Sequence, residues 1–244
     1  MEKQKIRFGG LYLEVTRRCN MHCDHCLRGD ARDGDFNPDD LRPLLKHTES
    51  IDTLGFTGGE PSLCPEILTG ILEVVNEYKI PVGGFYLVTN GKEVSDGFLT
   101  ALVRWNSYCL EHGDPYLSGL ALSKDEFHES IPWINEQKLR SFAFFQEDKF
   151  MEYLKGNYPA LIAKGRAAEN FEGTEFLRDA AEHTLCPERE GSLFSLTEHD
   201  LLVTVNGSIL PDCNYAYDEE AELTIGNIRQ PEAFLSYLGT LLEE

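Results

Sequence analysis

Three cysteines near the N-terminus, Cys19, Cys23 and Cys26, have the spacing C-x3-C-x2-C. The spacing places three thiols on one short loop, directly after an apolar, β-rich segment at residues 11–15. Thiolates are the usual ligands of iron–sulfur clusters, and a cubane cluster has four irons. Three protein ligands therefore leave one iron open, and an open coordination position is what a metal site needs to bind a substrate or a cofactor.

A glycine-rich motif, Gly58-Gly59-Glu60-Pro61, follows one βα unit further along the chain. Glycine lets a backbone come close to a ligand. Taken with the cysteine spacing, the motif resembles the radical S-adenosylmethionine (radical SAM) superfamily. The resemblance implies that the cysteine loop binds a [4Fe–4S] cluster and that the glycine-rich motif binds the methionine part of SAM. It also implies that Glu60, or a backbone carbonyl beside it, accepts hydrogen bonds from the SAM ammonium group.

His25 precedes the third cysteine. The family usually has an aromatic residue there that lies against the adenine of SAM, so the resemblance implies this role for His25. A structural zinc site is the alternative for the cysteine loop, with His22 or His25 as fourth ligand. Zinc leaves the glycine-rich motif unexplained. Seven cysteines, an odd number, in a chain of cytosolic character favour metal ligands and free thiols over a disulfide framework.

The 244 residues include 42 acidic and 22 basic side chains, which gives a formal net charge of −20. Nucleic-acid binders normally carry a basic surface, so a nucleic-acid partner is not expected. The acidic balance is typical of a solvated surface, or it attracts a basic peptide or a cationic substrate. No apolar run is long enough to cross a membrane, and residues 1–7 contain no apolar h-region, so we expect no secretory signal. We expect a cytoplasmic monomer with no membrane partner, and the resemblance implies an electron donor such as flavodoxin or ferredoxin.

Alternating strand and helix patterns predict an α/β fold with a parallel sheet. The predicted strands are at residues 11–16, 53–57, 85–89, 117–123, 141–145 and 201–205, and the later helices at residues 131–139 and 159–170. The resemblance makes the sheet a partial (β/α)6 TIM-like barrel with a short C-terminal extension. Ligands of such barrels lie at the C-terminal ends of the strands. We predict a barrel core at residues 1–185, and a last-strand region with a tail at residues 186–244.

Asn90 and Ser123 follow the third and fourth predicted strands. The resemblance implies that they contact the SAM ribose or carboxylate, and capping turns are the alternative. Residues 123–128 resemble a stretch found after the fourth strand in peptide-modifying members. Two weaker catalytic candidates are Cys64, as a hydrogen-atom donor, and Arg166, in a Gly-Arg-Ala turn found late in similar barrels. The alternatives are a buried apolar residue for Cys64 and a helix end for Arg166.

The tail contains Cys186 and Cys213, and its segment at residues 205–213 resembles a reduced SPASM or twitch extension. Such extensions bind auxiliary iron–sulfur clusters. This chain departs from their pattern, because no cysteine follows Cys213 and the gap from Gly207 to Cys213 is one residue longer than usual. Two cysteines cannot hold a cubane without help from other ligands. An auxiliary cluster at Cys186 and Cys213 and a degenerate tail without a cluster both remain open.

The resemblance implies an enzyme that cleaves SAM reductively at a [4Fe–4S] cluster. The product, a 5′-deoxyadenosyl radical, abstracts hydrogen from a substrate, and the SPASM-like tail favours a peptide or protein substrate, as in maturases. A small molecule such as a nucleotide or sugar is the alternative substrate. Two further alternatives are a glycyl-radical enzyme activase and a non-catalytic iron–sulfur module. The Gly-Pro-Gly run that precedes the cysteines in such activases is absent from this chain.

Overall fold

A computed structural model describes residues 3–113, 118–124, 127–147, 161–174, 177–180 and 184–243. Its strands are β1 (Lys5–Thr16), β2 (Thr48–Gly58), β3 (Val82–Thr89), β4 (Gly119–Leu122), β5 (Leu161–Ile162), β6 (Leu177–Arg178), β7 (Glu188–Glu190), β8 (Leu193–Val203), β9 (Ser208–Leu210) and β10 (Gly226–Asn227). Its helices are α1 (Arg42–Leu45), α2 (Pro65–Tyr78), α3 (Asp96–His112), α4 (Trp133–Arg140), α5 (Gly165–Asn170), α6 (Glu220–Leu223) and α7 (Pro231–Thr240).

One sheet contains most of the strands, in the order β10-β9-β8-β1-β2-β3-β4, with β7 beside β8. Strands β1, β2, β3, β4 and β8 are parallel to their neighbours in this group, whereas β7, β9 and β10 pair antiparallel. Strands β5 and β6 form a separate parallel pair. The predicted α/β class with a parallel sheet is confirmed. Within the described residues the sheet stays open, with β4 and β10 at its two ends.

The two faces of β1 enter different hydrophobic clusters, because successive strand residues point to opposite sides. Leu11 and Leu13 belong to the large core that α2 and α3 share. There Trp105 of α3 packs on Phe56 of β2, with ring centroids 4.9 Å apart, and its indole N–H donates to the Leu68 carbonyl at 2.9 Å. The helices thereby fix the ends of β1, β2 and β3 relative to one another.

The opposite face of β1 contributes to a smaller cluster. There Tyr12 packs with Leu202, Leu210, Tyr215 and Tyr217, which come from β8, β9 and the segment after β9. Leu202 pairs with Tyr12 in the register between β8 and β1. The segment after β9 therefore reaches the strand that carries the cysteine loop.

Several element predictions need correction. Strand β1 begins at Lys5, six residues before the predicted start, because its first half pairs with β8. Residues 141–145 are not a strand: Phe145 forms an isolated parallel bridge with Leu120. The helix predicted at residues 159–170 is wrong for its first half, where Leu161–Ile162 pairs with β6, and α5 begins only at Gly165 (φ +51°). Residues 117, 159 and 160 lie outside the described residues.

Among the residues that the structure describes, no helix combines the length and apolar character needed to span a bilayer.

Candidate functional site

The cysteine loop leaves the C-terminal end of β1. Cys19, Cys23 and Cys26 are all partly exposed. The loop is compact, because the Cys26 N–H donates to the Cys23 carbonyl at 3.1 Å and the Met21 N–H lies 3.5 Å from the Cys19 sulfur. Burial raises the pKa of the Cys19 thiol, and the Met21 contact opposes this effect. The structure thus keeps the three predicted ligands together on one accessible loop.

The glycine-rich motif is hydrogen-bonded directly to the start of this loop. The Gly59 N–H donates to the Thr16 carbonyl at 2.7 Å, and the Glu60 N–H donates to the Arg18 carbonyl at 2.9 Å. A Cβ atom at Gly58 (φ +138°) would overlap the Thr16 carbonyl, and one at Gly59 would overlap the Arg18 carbonyl. The absence of a side chain therefore allows two backbones to meet here. The predicted contact of this motif with SAM remains a prediction.

Pro61 begins a 3₁₀ turn, Pro61–Leu63, and is buried. The missing N–H of proline costs nothing at the first position of such a turn. The preceding residue caps the turn, since the Glu60 carboxylate accepts from the Ser62 N–H at 3.0 Å. The cap explains in local terms why Glu60 and Pro61 follow the two glycines.

The Glu60 carboxylate also joins the ends of β2 and β3. It is fully buried and accepts from the Thr89 hydroxyl at 2.6 Å and from the Asn90 N–H at 2.8 Å. Burial raises its pKa, and the hydrogen bonds that it accepts oppose that shift. These hydrogen bonds already satisfy the Glu60 carboxylate within the protein. Of the two predicted acceptors for the SAM ammonium group, a backbone carbonyl beside Glu60 is therefore the better candidate.

Asn90 connects this network to the cysteine loop. Its amide nitrogen donates to the Asn20 side-chain oxygen at 2.9 Å and lies 3.9 Å from the Cys19 sulfur. Ser123 lies alongside, because its N–H donates to the Thr89 carbonyl at 2.9 Å. The structure therefore brings Asn90 to the first cysteine and places Ser123 at the neighbouring strand end, as expected for strand-end ligands.

Aromatic rings gather beside His25. Its ring centroid lies 4.6 Å from that of His128 and 5.3 Å from that of Phe127, and Phe127 lies 5.4 Å from Phe171. Phe127 and His128 thus lie against the residue before Cys26, and Phe171 packs on Phe127. Sequence reasoning singled out residues 123–128, which contain Phe127 and His128, but missed Phe171, which carries no spacing signal.

Arg166 holds the cysteine loop from outside. Its guanidinium donates to the Cys23 carbonyl at 3.0 Å and to the Asp30 carboxylate at 2.7 Å, and its own N–H donates to the Cys26 carbonyl at 3.0 Å. A Cβ atom at Gly165 would lie 2.5 Å from the Leu27 carbonyl oxygen, so glycine permits this close packing. The structure therefore makes Arg166 a positioning residue for the loop that carries the cysteines.

Replacing Arg166 with alanine is expected to accelerate the loss of iron from the cluster-loaded protein by at least about tenfold. The change removes hydrogen bonds from a charged donor, each worth about 1.5–3 kcal/mol. The rate of iron transfer to a chelator measures the effect. Arg229→Ala is the matched control, because Arg229 makes an exposed ion pair with Asp40 at 2.6 Å. Equal rates for the two variants would contradict the positioning role.

A buried ionic network beneath the loop joins β1 to the tail. Arg17 donates to Glu14 at 3.0 Å and to Glu220 at 2.6 Å. Glu14 also accepts from the Tyr215 hydroxyl at 2.7 Å, and Glu220 accepts from the Thr204 hydroxyl at 2.6 Å. All five side chains belong to buried residues. Glu14 and Arg17 lie just before the cysteine loop, and their partners Tyr215 and Glu220 belong to the tail. The tail therefore supports the base of the cysteine loop.

The tail also contacts the far end of the loop. Arg28 lies over the Tyr215 ring, 4.2 Å from its centroid, and donates to the Tyr215 carbonyl at 2.9 Å. The Tyr217 N–H donates to the Arg28 carbonyl at 3.1 Å. Sequence reasoning missed these residues, because no local pattern links Arg28 to a segment about 190 positions away. Arg166 and the tail thus contact the same loop from separate parts of the chain.

Cys186 and Cys213 lie near His199. Cys186 is exposed, and its N–H donates to His199 Nε2 at 3.0 Å. His199 and Cys213 line one cavity, and burial raises the pKa of Cys213 to about 12. The auxiliary cluster at these two cysteines stays a prediction.

Cys64 is fully buried in the large core, and its thiol lies 3.5 Å from the Pro61 carbonyl. Burial raises its pKa to about 12. This placement does not favour access of the thiol to a substrate radical, so the hydrogen-donor role of Cys64 remains a prediction without structural support.

Two curated proteins are similar to part of the chain. A probable GTP 3′,8-cyclase of Pyrococcus horikoshii is 30% identical over 93 residues, which are 35% of this chain and 29% of that protein. A tungsten-containing aldehyde ferredoxin oxidoreductase cofactor-modifying protein of Pyrococcus furiosus is 33% identical over 98 residues, which are 38% and 26% of the two chains. These similarities agree with the two motifs. The two relatives support the resemblance to the radical SAM superfamily. It spans less than a third of the length of either relative.

Solved structures similar to this chain include native anSMEcpe with bound AdoMet and Cp18Cys peptide. The TM-score is 0.45 and the identity 13%, over 97% of this chain and 82% of that one. Streptococcus suis SuiB bound to the precursor peptide SuiA has a TM-score of 0.38 and 13% identity, over 84% and 59% of the two chains. No protein-family model matches the chain.

The resemblance to the superfamily implies a [4Fe–4S] cluster and SAM as cofactors. The donor set fits the cluster, because three cysteine thiols lie on one accessible loop and thiolates are the preferred ligands of iron–sulfur clusters. Within the described ranges no three His, Cys, Asp or Glu side chains converge on a single metal ion. A cubane does not need such convergence, since each thiolate binds a different iron.

Proposed function

We propose that this chain is a radical SAM enzyme that cleaves SAM reductively and abstracts a hydrogen atom from a peptide or protein. When bound, the cluster and SAM supply one electron and a 5′-deoxyadenosyl radical. The observation that carries the proposal is the direct hydrogen bonding between the loop of three thiols and the glycine-rich motif, through Gly59 and Glu60. It places the predicted cluster ligands beside the predicted SAM ligands at one edge of the sheet.

The residues of the chain then have separate roles. Cys19, Cys23 and Cys26 would hold the cluster. SAM would be bound by the main chain of the glycine-rich motif and by side chains at neighbouring strand ends, which are Gly58, Gly59, Glu60, Pro61, Asn90, Ser123 and His25. Arg166 and the tail keep the loop in place, and the hard chemistry belongs to the cofactors. A general acid or base is therefore not required among the residues around the loop.

A peptide is the preferred substrate because of the charge at the site. A cavity of about 400 Å³ borders the glycine-rich motif and is lined by Glu198, Asp200 and Asp212. The name of the GTP 3′,8-cyclase relative includes a nucleotide, so a nucleotide is the second candidate substrate for this chain. Three carboxylates repel a triphosphate and attract a basic group. The cavity thus favours a basic peptide over GTP.

The formation of 5′-deoxyadenosine from SAM tests the reaction. The full chain is reconstituted with its cluster and assayed without oxygen, with a strong reductant, and with either a basic peptide or GTP added. We expect 5′-deoxyadenosine, and we expect the basic peptide to raise its rate. An acceleration by GTP alone would identify the nucleotide instead. SAM that neither binds nor reacts at a fully assembled cluster would overturn the proposed function.

A further inference from the structure

The turn after β3 lies against the first cysteine of the loop. Thr89 ends β3, and Asn90 and Gly91 (φ +70°) follow it. The Asn90 amide nitrogen lies 3.9 Å from the Cys19 sulfur and donates to the Asn20 side-chain oxygen at 2.9 Å. A primary amide nitrogen carries two hydrogens. One hydrogen is therefore directed to Asn20, and the other is available to the Cys19 sulfur.

The orientation of the Asn90 amide is fixed by the main chain beside it. Its oxygen accepts from the Lys92 N–H at 2.9 Å. Exchange of the amide oxygen and nitrogen would turn an NH₂ group toward this N–H and an oxygen toward the sulfur, with repulsion at both ends. The nitrogen therefore faces Cys19. The amide oxygen keeps a second lone pair, so this contact is compatible with the proposed contact of Asn90 with SAM.

The turn that carries Asn90 is anchored on both sides. Asn90 is buried, and its main-chain N–H donates to the buried Glu60 carboxylate at 2.8 Å. From the other side, the amide nitrogen of Asn135 in α4 donates to the Gly91 and Lys92 carbonyls, at 3.1 Å each. The Asn90 side chain thus approaches the cysteine loop from a fixed position.

The cysteine loop is also held to this turn. The Lys92 ammonium donates to the Asn20 carbonyl at 2.8 Å and to the Glu129 carboxylate at 2.6 Å. The first bond keeps Asn20, the residue after Cys19, against the turn. Because Glu129 compensates the charge of Lys92, the ammonium group adds little net charge beside the sulfur.

The Cys19 sulfur needs hydrogen-bond donors because it is partly buried. Burial raises the pKa of its thiol, since negative charge on the sulfur loses hydration. Donors offset this cost by stabilising the charge. The Met21 N–H, 3.5 Å away, is a donor from within the loop. Asn90 supplies a donor from outside the loop.

We propose that the Asn90 amide donates a hydrogen bond to the Cys19 thiolate and thereby raises the reduction potential of the cluster. Hydrogen bonds to the sulfurs are among the factors that set such potentials. The reduced cluster carries one more negative charge than the oxidised cluster, so a donor stabilises the reduced state more. Asn90 acts through a cluster ligand and is therefore a positioning residue. The proposal rests on the proposed function, which places the cluster on this loop.

The reduction potential of the reconstituted full chain tests the proposal, measured by a redox titration followed by EPR without SAM or substrate. Asn90→Leu removes both amide hydrogens at a similar side-chain volume. We expect it to lower the equilibrium constant for one-electron reduction at least threefold, which is about 28 mV, since tenfold is about 59 mV. Asn90→Asp keeps an acceptor for the Lys92 N–H and turns a negative oxygen toward the sulfur. We expect a larger decrease from this second variant.

Asn170→Leu is the matched control. The amide nitrogen of Asn170, in α5, also donates to the cysteine loop, at 3.0 Å from the Asp24 carbonyl, so it contacts the main chain and not a sulfur. We expect this control to keep the wild-type potential. Equal potentials in the wild type and both Asn90 variants would overturn the proposal. A shift in Asn170→Leu as large as that in Asn90→Leu would also overturn it, because the cause would then be a disturbed loop.

The potential is read without turnover, so this test is separate from that of the proposed function. A lowered potential in the Asn90 variants of a chain that yields no 5′-deoxyadenosine would keep the role of Asn90 and reject the reaction. A chain that cleaves SAM, and whose Asn90 variants keep the wild-type potential, would keep the reaction and reject the role of Asn90.

Discussion

Cys23→Ala is expected to abolish the formation of 5′-deoxyadenosine from SAM. Removal of one of three thiolates leaves a second iron of the cluster without a protein ligand. The backbone contact of Cys23 is unaffected by this change, because Arg166 donates to its main-chain carbonyl. The alanine variant therefore keeps the anchor of the loop, and the loss of activity reports on the thiol itself.

Product formation by chromatography, together with iron content per chain, checks this prediction. Cys186→Ala is the matched control, since Cys186 is an exposed free thiol away from the loop. We expect that control to keep both its iron and its cleavage rate. Full activity in Cys23→Ala, or loss of the cluster in Cys186→Ala alone, would contradict the assignment of the cysteine loop.

Motif spacing could indicate a candidate site because the parts of that site are local in sequence. The three cysteines lie within eight positions, and the glycine-rich motif occupies four consecutive residues. Strand periodicity placed both motifs at strand ends. Parallel strands bring such ends to one edge of a sheet, so the proximity of Asn90 to Cys19 followed from the topology. The predicted α/β class succeeded for the same reason.

Contacts between distant segments could not be predicted in this way. Arg17 and Glu220 are 203 positions apart, and Arg28 and Tyr215 are 187 positions apart. Their pairing depends on β8 lying beside β1, and no spacing rule indicates that neighbour. The Gly165–Arg166 turn had a known pattern, but its contact with the Cys23 carbonyl is visible only in three dimensions.

The error at residues 159–170 has a different origin. Helix-forming residues dominate the later part of that segment, and they favoured a single helix. Leu161 and Ile162 instead pair with Leu177 and Arg178, and Gly165 adopts a positive φ that a regular helix does not contain. Tertiary pairing overrides local propensity here, as it often does for short segments.

Arg17→Met is expected to lower the free energy of unfolding by about 3–5 kcal/mol, since it leaves two buried carboxylates without their cation. Glu14 is fully buried, and the Glu220 side chain is about 11% exposed. Neither carboxylate can regain full hydration after the change. The loss is large because these groups form one network with the tail.

The pH dependence of stability should change as well. Burial raises the pKa of Glu220, but the hydrogen bonds from Thr204 and Arg17 outweigh it and hold that pKa below its usual value. A carboxyl group with a lowered pKa in the folded state stabilises the protein above its unfolded pKa. This contribution is lost as the pH falls through the folded value. In Arg17→Met, the stability should fall less steeply with decreasing pH, because the change removes one cause of the lowered pKa of Glu220.

Urea unfolding followed by circular dichroism measures the change in stability, and a triple variant isolates its cause. Replacing Glu14 and Glu220 with glutamine in the Arg17→Met background removes the uncompensated charges, so we expect it to recover about half of the lost stability or more. Arg7→Met is the control, because the pair of Arg7 with Asp52 is exposed and its loss should cost at most about 1 kcal/mol. If Arg17→Met cost no more than Arg7→Met, the network would not join the tail to the base of the cysteine loop. An unrecovered triple variant would instead show that the hydrogen bonds of the two glutamates, and not their charges, support this junction.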